Sequence, residues 1–243
     1  MAYGVLCAVA FVGAYVVNML YTSVFYHRGL THRAIRLRRL TRRIVILTGN
    51  WVTGIDPKAW ACMHRLHHKY SDTEKDPHSP TYKGVLPILK VQLDSYGKAM
   101  RGLMRGQRYY TSIVRDLDFP VNWLNRRGLW FLPHALHTLA AVAMGGIFGA
   151  WILAGAYWLG MMSHPIQGWM VNALAHRYGY RNYSTRDQST NNLLVAWLVM
   201  GEGLQNNHHF RPRSARFSVK WWESDPGYLL CRLASLMGLI ELR

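Results

Sequence analysis

Two stretches of the chain carry no formal charge, residues 1–26 and residues 128–175, so all 29 lysines and arginines lie within 27–127 or beyond 175. About 20 predominantly apolar residues cross the hydrocarbon layer of a bilayer as a helix. The opening MAYGVLCAVAFVGAYVVNMLYTSV therefore predicts one spanning helix over about 3–24. The second stretch, 48 residues long, has room for two more, about 129–145 and 149–165. Gly145-Gly146 and Phe148-Gly149 supply the turn between them. A third apolar run, TRRIVILTGNWVTGI, is too short to cross and predicts a helix in the interface over about 41–56. The pattern predicts an all-α integral membrane protein, a single domain over 1–243 with transmembrane helices and a cytoplasmic helical cap.

Charge refines this picture. Twelve acidic residues leave a formal net charge of +17, which points to nucleic acid or to an anionic membrane. The placement decides between them. Arg28, Arg33, Arg36, Arg38 and Arg39 follow the first span, Arg126 and Arg127 precede the second, and Arg177 and Arg181 follow the third. By the positive-inside rule these ends are cytoplasmic and the N-terminus lies outside. The charge thus marks topology and lipid headgroups, and no nucleic-acid-binding module accompanies it. The first stretch lacks the basic n-region of a cleaved signal peptide. Cys7, Cys62 and Cys231 are too scattered for a disulfide framework or a metal motif.

Eight of the 12 histidines fall into four groups: HRGLTH (His27, His32), HRLHH (His64, His67, His68), NALAH (His176) and NNHH (His208, His209). Each group lies just cytoplasmic of an apolar segment. Neutral imidazole is the commonest protein metal ligand, and it suits iron, copper, zinc and nickel. On a helix, His64, His67 and His68 stand at i, i+3 and i+4 and are expected to face one way. Eight donors exceed the needs of one tetrahedral zinc and suit two octahedral ions with a position left open. His134 and His137 are expected to serve interfacial hydrogen bonding, and His164, before Pro165, to cap a helix.

HRGLTH, HRLHHKYSDTEKDPHSP, VNALAHRYGYRNY and GEGLQNNHHFRP resemble, in order and spacing, the histidine boxes of integral-membrane fatty acid desaturases and hydroxylases, over about Phe25 to Trp222. The resemblance implies a cap holding a non-haem di-iron site, two iron ions that use dioxygen and two donated electrons to remove two hydrogens from an unactivated acyl chain. It implies His27, His32, His64, His67, His68, His176, His208 and His209 as ligands and Asn172 as a ligand through water. Asp76, Asp187 and Glu202 are expected to fix the ligand rings from behind. Asp76-Pro77-His78 matches a family element in which His78 is structural. Trp51, Trp60 and Trp169 are candidates to line the acyl tunnel.

Two departures stand out. Gln205 occupies the position where most of these enzymes carry the first histidine of the last box; its carbonyl oxygen can coordinate, or the position can pass to water. Cys62 and Met63 replace the Arg-Asp pair that handles the CoA headgroup in animal acyl-CoA desaturases, which leaves acyl-lipid and carrier-bound substrates open beside acyl thioesters. No cytochrome-like or ferredoxin-like domain is legible, so a separate electron donor is expected, docking on the basic face. The competing outcome on the same scaffold is a fatty acyl or alkyl hydroxylase or ketolase. A membrane haem carrier would need histidine pairs facing each other within the spans.

Overall fold

The computed structural model describes residues 1–243 and is mostly helical, with almost no sheet. Helix α1, Ala2–Met19, runs without a break into a wide-turned π-helix, Leu20–Thr31. Together they make 30 residues whose most apolar 18-residue window has a mean hydropathy of 1.9, long enough and apolar enough to cross a bilayer. Strand β1 (Ile35–Leu37) leads to α2 (Arg39–Thr53) and α3 (Pro57–Tyr70). The short α4 (Pro80–Lys83) precedes α5 (Ile88–Met104), α6 (Arg108–Ile113) and α7 (Trp123–Arg126). Helices α8 (Leu132–Phe148) and α9 (Trp151–Met162) form a hairpin, and α10 (His164–Trp169) continues into a second π-turn, Met170–Leu174. Helices α11 (Leu193–Leu198), α12 (Gln205–Phe210) and α13 (Pro226–Leu236) complete the helical part. Strand β2 (Ile240–Leu242) pairs antiparallel with β1, Arg36 opposite Glu241.

The apolar helices pack through small residues. A Cβ on Gly160 of α9 would lie 2.6 Å from the Phe11 carbonyl oxygen and 2.7 Å from the Ala14 Cβ, so the glycine lets α1 and α9 come into backbone contact. Asn18 of α1 donates to the Met161 carbonyl at 2.8 Å and ties the pair together. The outward faces of α1, α8 and α9 leave Val9, Val12, Leu139, Val142, Ile152 and Leu159 exposed.

Three expected boundaries shift. The hairpin turns at Gly149, which adopts a left-handed φ of 64°, while Gly145 stays helical beneath the Trp151 ring. At 12 residues α9 reaches only about 18 Å and breaks at Ser163, because Pro165 removes an amide donor and starts a new helix. The segment expected over 41–56 is α2, stopped at Gly54 by a left-handed φ of 70°. No other residue suits Gly54 well, since a Cβ there would also strike the His134 ring at 2.5 Å.

Candidate metal centre

Helix α3, which carries three of the histidines, is fixed at its start before it reaches the centre. Asp56, fully buried, caps α3 by accepting from the Lys58 and Ala59 amides at 2.9 Å each, and it also accepts from the Asn122 amide at 2.6 Å. Arg65 ties α3 to the end of the first π-helix, donating to the Leu30 and Thr31 carbonyls and to Asp116. In that π-helix the His32 amide bonds to the His27 carbonyl, five residues back. This stacks residue i+5 over residue i, so the His27 and His32 rings come within 4.9 Å. An ordinary α-helix would point them apart. The second π-turn does the same service just before His176, with Ala175 bonded back to Met170.

The eight predicted histidines converge on two adjacent groups. His27, His32, His64, His68 and His208 form the first, with ligand atoms all within 4.8 Å of one another. Their Nε2 atoms are 3.0 Å apart in the pairs His27–His208, His208–His68, His68–His64 and His64–His32. A pair of ring nitrogens shares at most one proton, so five inward Nε2 atoms cannot satisfy one another. The edge of an octahedron with bonds of about 2.1 Å to imidazole is about 3.0 Å. His67, His176 and His209 form the second group. Each has a buried Nε2 that meets no hydrogen-bond partner. The His68 and His209 rings stack at 4.2 Å, which places the two groups side by side.

Three carboxylates stand behind the second group and one behind the first. The Nδ1 atoms of His67, His176 and His209 donate to Asp76, Asp72 and Asp187 at 3.0, 2.9 and 2.9 Å. His27 Nδ1 lies 2.7 Å from Glu202. A proton held on Nδ1 leaves the Nε2 lone pair free and aimed inward, the tautomer a metal requires. Burial opposes ionisation of Glu202, but His27, Arg28 and Ser23 outweigh it and hold its carboxyl at about 2. Burial likewise opposes ionisation of Asp76 and Asp187, and His67 and His209 hold both well below the usual carboxylate range. Burial, reinforced by neighbouring rings, pushes His32, His64, His68 and His208 well below the usual imidazole range. Neutral rings with bare nitrogens pointing at one another, backed by carboxylates, fit a pair of first-row metal ions.

The structure departs from the sequence reading at several side chains. His64, His67 and His68 share one broad face of α3 but divide within it: i+4 stands about 40° to one side of i and i+3 about 60° to the other. His64 and His68 therefore join the first group and His67 the second. Asp72 is the carboxylate the sequence reading missed. It stands four residues before Asp76 with a left-handed φ of 55°, and also accepts from Ser79 and the Gln188 amide. Gln205 is buried and donates to the Glu202 carbonyl at 2.7 Å, which leaves its Oε1 as the end that can turn to the cavity it lines. Asn172 lines the same cavity and donates to Gln92 at 3.0 Å. His78 is fully buried and stacks on His67 at 4.6 Å.

A cavity of about 790 Å³ opens beneath the first group, within the range of small-molecule sites. Met19, Thr22, Ser23 and His27 line it along one face of the first helix, so it follows that helix for about 12 Å. Leu93, Tyr96 and Met100 of α5 form the facing wall. Of the three tryptophans expected there, only Trp60 contributes, stacked on His64 at 4.9 Å and 8°. Trp169 is turned away by its indole N–H, which donates to the Val85 carbonyl. Trp51 packs instead on Trp123, and its carbonyl accepts from His137. His164 caps nothing, since Ser163 precedes the helix; its ring faces the cavity 6.3 Å from that of His134. Cys62 is buried in the core against the Tyr110 carbonyl, and Met63 lines the cavity.

The profile described as fatty acid desaturase matches residues 3–228. The chain belongs to the fatty acid desaturase family. It is 33% identical over 230 residues to an acyl-CoA 5-desaturase of Anemone leveillei, covering 90% of this chain and 65% of that one. It is 32% identical to the sn-1 stearoyl-lipid 9-desaturase of Anabaena variabilis, covering 88% of this chain and 75% of that one. It is 30% identical to the hex-5-enoyl-[acyl-carrier protein] acetylenase of Moorena producens, covering 94% and 74%. The chain thus spans about two thirds to three quarters of the length of these relatives. The matched region of this desaturase-family chain includes all eight converging histidines.

Proposed function

We propose that the protein is an oxygen-dependent, membrane-bound fatty acid desaturase that inserts a double bond into an acyl chain carried as a thioester or a lipid. One observation carries the reading: two adjacent groups of buried histidines, with uncommitted inward nitrogens, stand at the head of a mostly apolar cavity. The eight histidines are the residues that would hold two iron ions, with Asn172 and Gln205 at the cavity side. The ions would supply the oxidising chemistry, drawing on dioxygen. The chain's own residues do the rest. Leu93, Met100 and Trp60 exclude water and hold one methylene pair beside His27 and His64, which fixes the position of reaction. Overall the acyl chain gives up two hydrogens, a separate donor gives two electrons, solvent gives two protons, and dioxygen ends as two waters.

The apolar helix that begins at Ala2 and the exposed apolar faces of α8 and α9 support insertion in a membrane as one unit. The arginines clustered at the histidine end support a cytoplasmic position for that end, with the N-terminus outside. The names of the relatives, among them desaturases acting on acyl-CoA and on acyl lipid, leave both carriers open. No observation favours the hydroxylase or ketolase outcome.

The test is the fatty-acid profile, by gas chromatography with mass spectrometry, of bacteria expressing the chain beside an empty vector. A new unsaturated species only in the expressing cells supports the reading and locates the bond. A hydroxylated or oxo product with no new double bond overturns it. Asp72→Asn tests the least expected residue of the centre. Loss of the carboxylate behind a ligand typically costs 10–100-fold in metal affinity. Competition titration with ferrous iron is expected to show a loss of that size at one of two sites relative to the unaltered chain, and unchanged affinity at both would remove Asp72 from the centre.

A further inference from the structure

We propose that the outer face over the second histidine group, built on Tyr183, Phe210, Arg211 and Lys220, is the docking surface for a small acidic one-electron carrier protein. The proposal rests on the desaturase reading above. Phe210 follows His209 directly in the chain and is 46% exposed. Its ring stacks on that of the half-buried Tyr183 at 3.9 Å and 10°, so a partly exposed aromatic pair stands one residue from a histidine of the centre. The Arg211 guanidinium lies 5.6 and 5.7 Å from these two ring centroids. Beside it, the Lys220 ammonium lies 5.5 Å from the Tyr180 ring and 5.0 Å from Trp222. Asn182 joins the two halves into one surface, donating to Asn207 and to Glu223.

The charge of this face is positive on balance. Residues 177–225 hold Arg177, Arg181, Arg186, Arg211, Arg213, Arg216 and Lys220 against Asp187, Glu202, Glu223 and Asp225. All four acids are already committed, Asp187 to His209, Glu202 to His27, Glu223 to Tyr180 and Asn182, and Asp225 to Arg28. Aromatic residues and arginine are the types enriched at protein interfaces, and uncompensated positive charge steers an acidic partner to them. Redox encounters use small, transient interfaces, which a patch of this extent suits. None of Tyr183, Phe210, Arg211 and Lys220 lines the cavity. The face therefore leads to the histidines and not to the acyl chain, which favours an electron carrier over an acyl carrier protein. At each encounter the carrier would be oxidised by one electron, and the iron that the histidines behind Phe210 would hold is the acceptor that is reduced. Two encounters supply the pair needed for one double bond, and no bond is made or broken across the interface.

Lys220 is the only lysine after Lys98, which gives the test an unambiguous reporter. The full chain in nanodiscs is cross-linked by carbodiimide to a plant-type [2Fe–2S] ferredoxin, and the products are mapped by mass spectrometry. Cross-links to Lys220 that fade as salt is raised support the proposal. Cross-links confined to the six lysines from Lys58 to Lys98, or a preference of Lys220 for acyl carrier protein over ferredoxin, overturn it. In the iron-loaded protein, Arg211→Glu with Lys220→Glu is expected to slow reduction by ferredoxin at least tenfold at low ionic strength, with reduction by dithionite unchanged. An unaltered ferredoxin rate sinks the docking site alone. Failure of dithionite to reduce the bound iron in the unaltered protein sinks the desaturase reading, and the docking site with it.

Discussion

Replacing His208 by alanine is expected to abolish double-bond formation, a fall of at least about 100-fold, and to strip iron from the first group while the second keeps its own. His208 is buried in the middle of the chain of nitrogens, its Nε2 3.0 Å from those of both His27 and His68. Two of the four close nitrogen pairs vanish with it. Loss of a carboxylate behind a ligand costs 10–100-fold, and loss of the ligand itself exceeds that. The truncation also leaves a void against Phe217, whose ring lies 4.5 Å from that of His208. Thermal melting of the metal-free protein therefore accompanies the assay, so that loss of fold is told apart from loss of metal. Product analysis and iron content per chain are the two measurements. Unchanged turnover with two irons per chain would remove His208 from the centre.

The second large effect is on stability. Arg28→Met is expected to destabilise the fold by about 3–5 kcal/mol, the range found when one partner of a buried ion pair is removed. Arg28 is fully buried next to His27. It donates to Glu202 at 2.6 Å, to Asp225 at 3.1 Å and to the Ala215 carbonyl at 2.9 Å, and its guanidinium lies 3.8 Å from the Phe217 ring. Methionine keeps the bulk but leaves two buried carboxylates without their cation. The guanidinium also holds Glu202 in place behind His27, so the change reaches the metal centre as well as the fold. At this chain length the loss corresponds to roughly 6–20 °C in melting temperature. Arg28→Lys keeps the charge but loses the fork that reaches both acids, and a smaller drop is expected. A melting temperature unchanged in Arg28→Met would show the network to be dispensable.

Some of the centre was open to inspection in the sequence because histidine boxes are local. Asp76 and Asp187 lie 9 and 22 residues from the rings they hold, close enough in the chain to be suspected. Asp72 holds His176 across 104 residues, and nothing local links the two. The tunnel tryptophans failed for a similar reason. Trp51 and Trp169 are as apolar as Trp60, but a single backbone carbonyl, Val85, is enough to turn Trp169 out of the cavity wall.

The sequence by itself determined which histidines gather and where the apolar helices lie. Charge-free stretches, box spacing and arginine placement are all written in order along the chain, and each follows from local periodicity or from the cost of burying charge. Only the tertiary structure decided how the histidines are shared. The π-turns that bring His27 over His32 and prepare His176, the split of His67 from its neighbours His64 and His68, and the choice of Asp72 over nearer acids depend on contacts between segments far apart in sequence. Donor geometry is set by where helices meet, and a helix meets its partners through packing, which no window of the sequence contains.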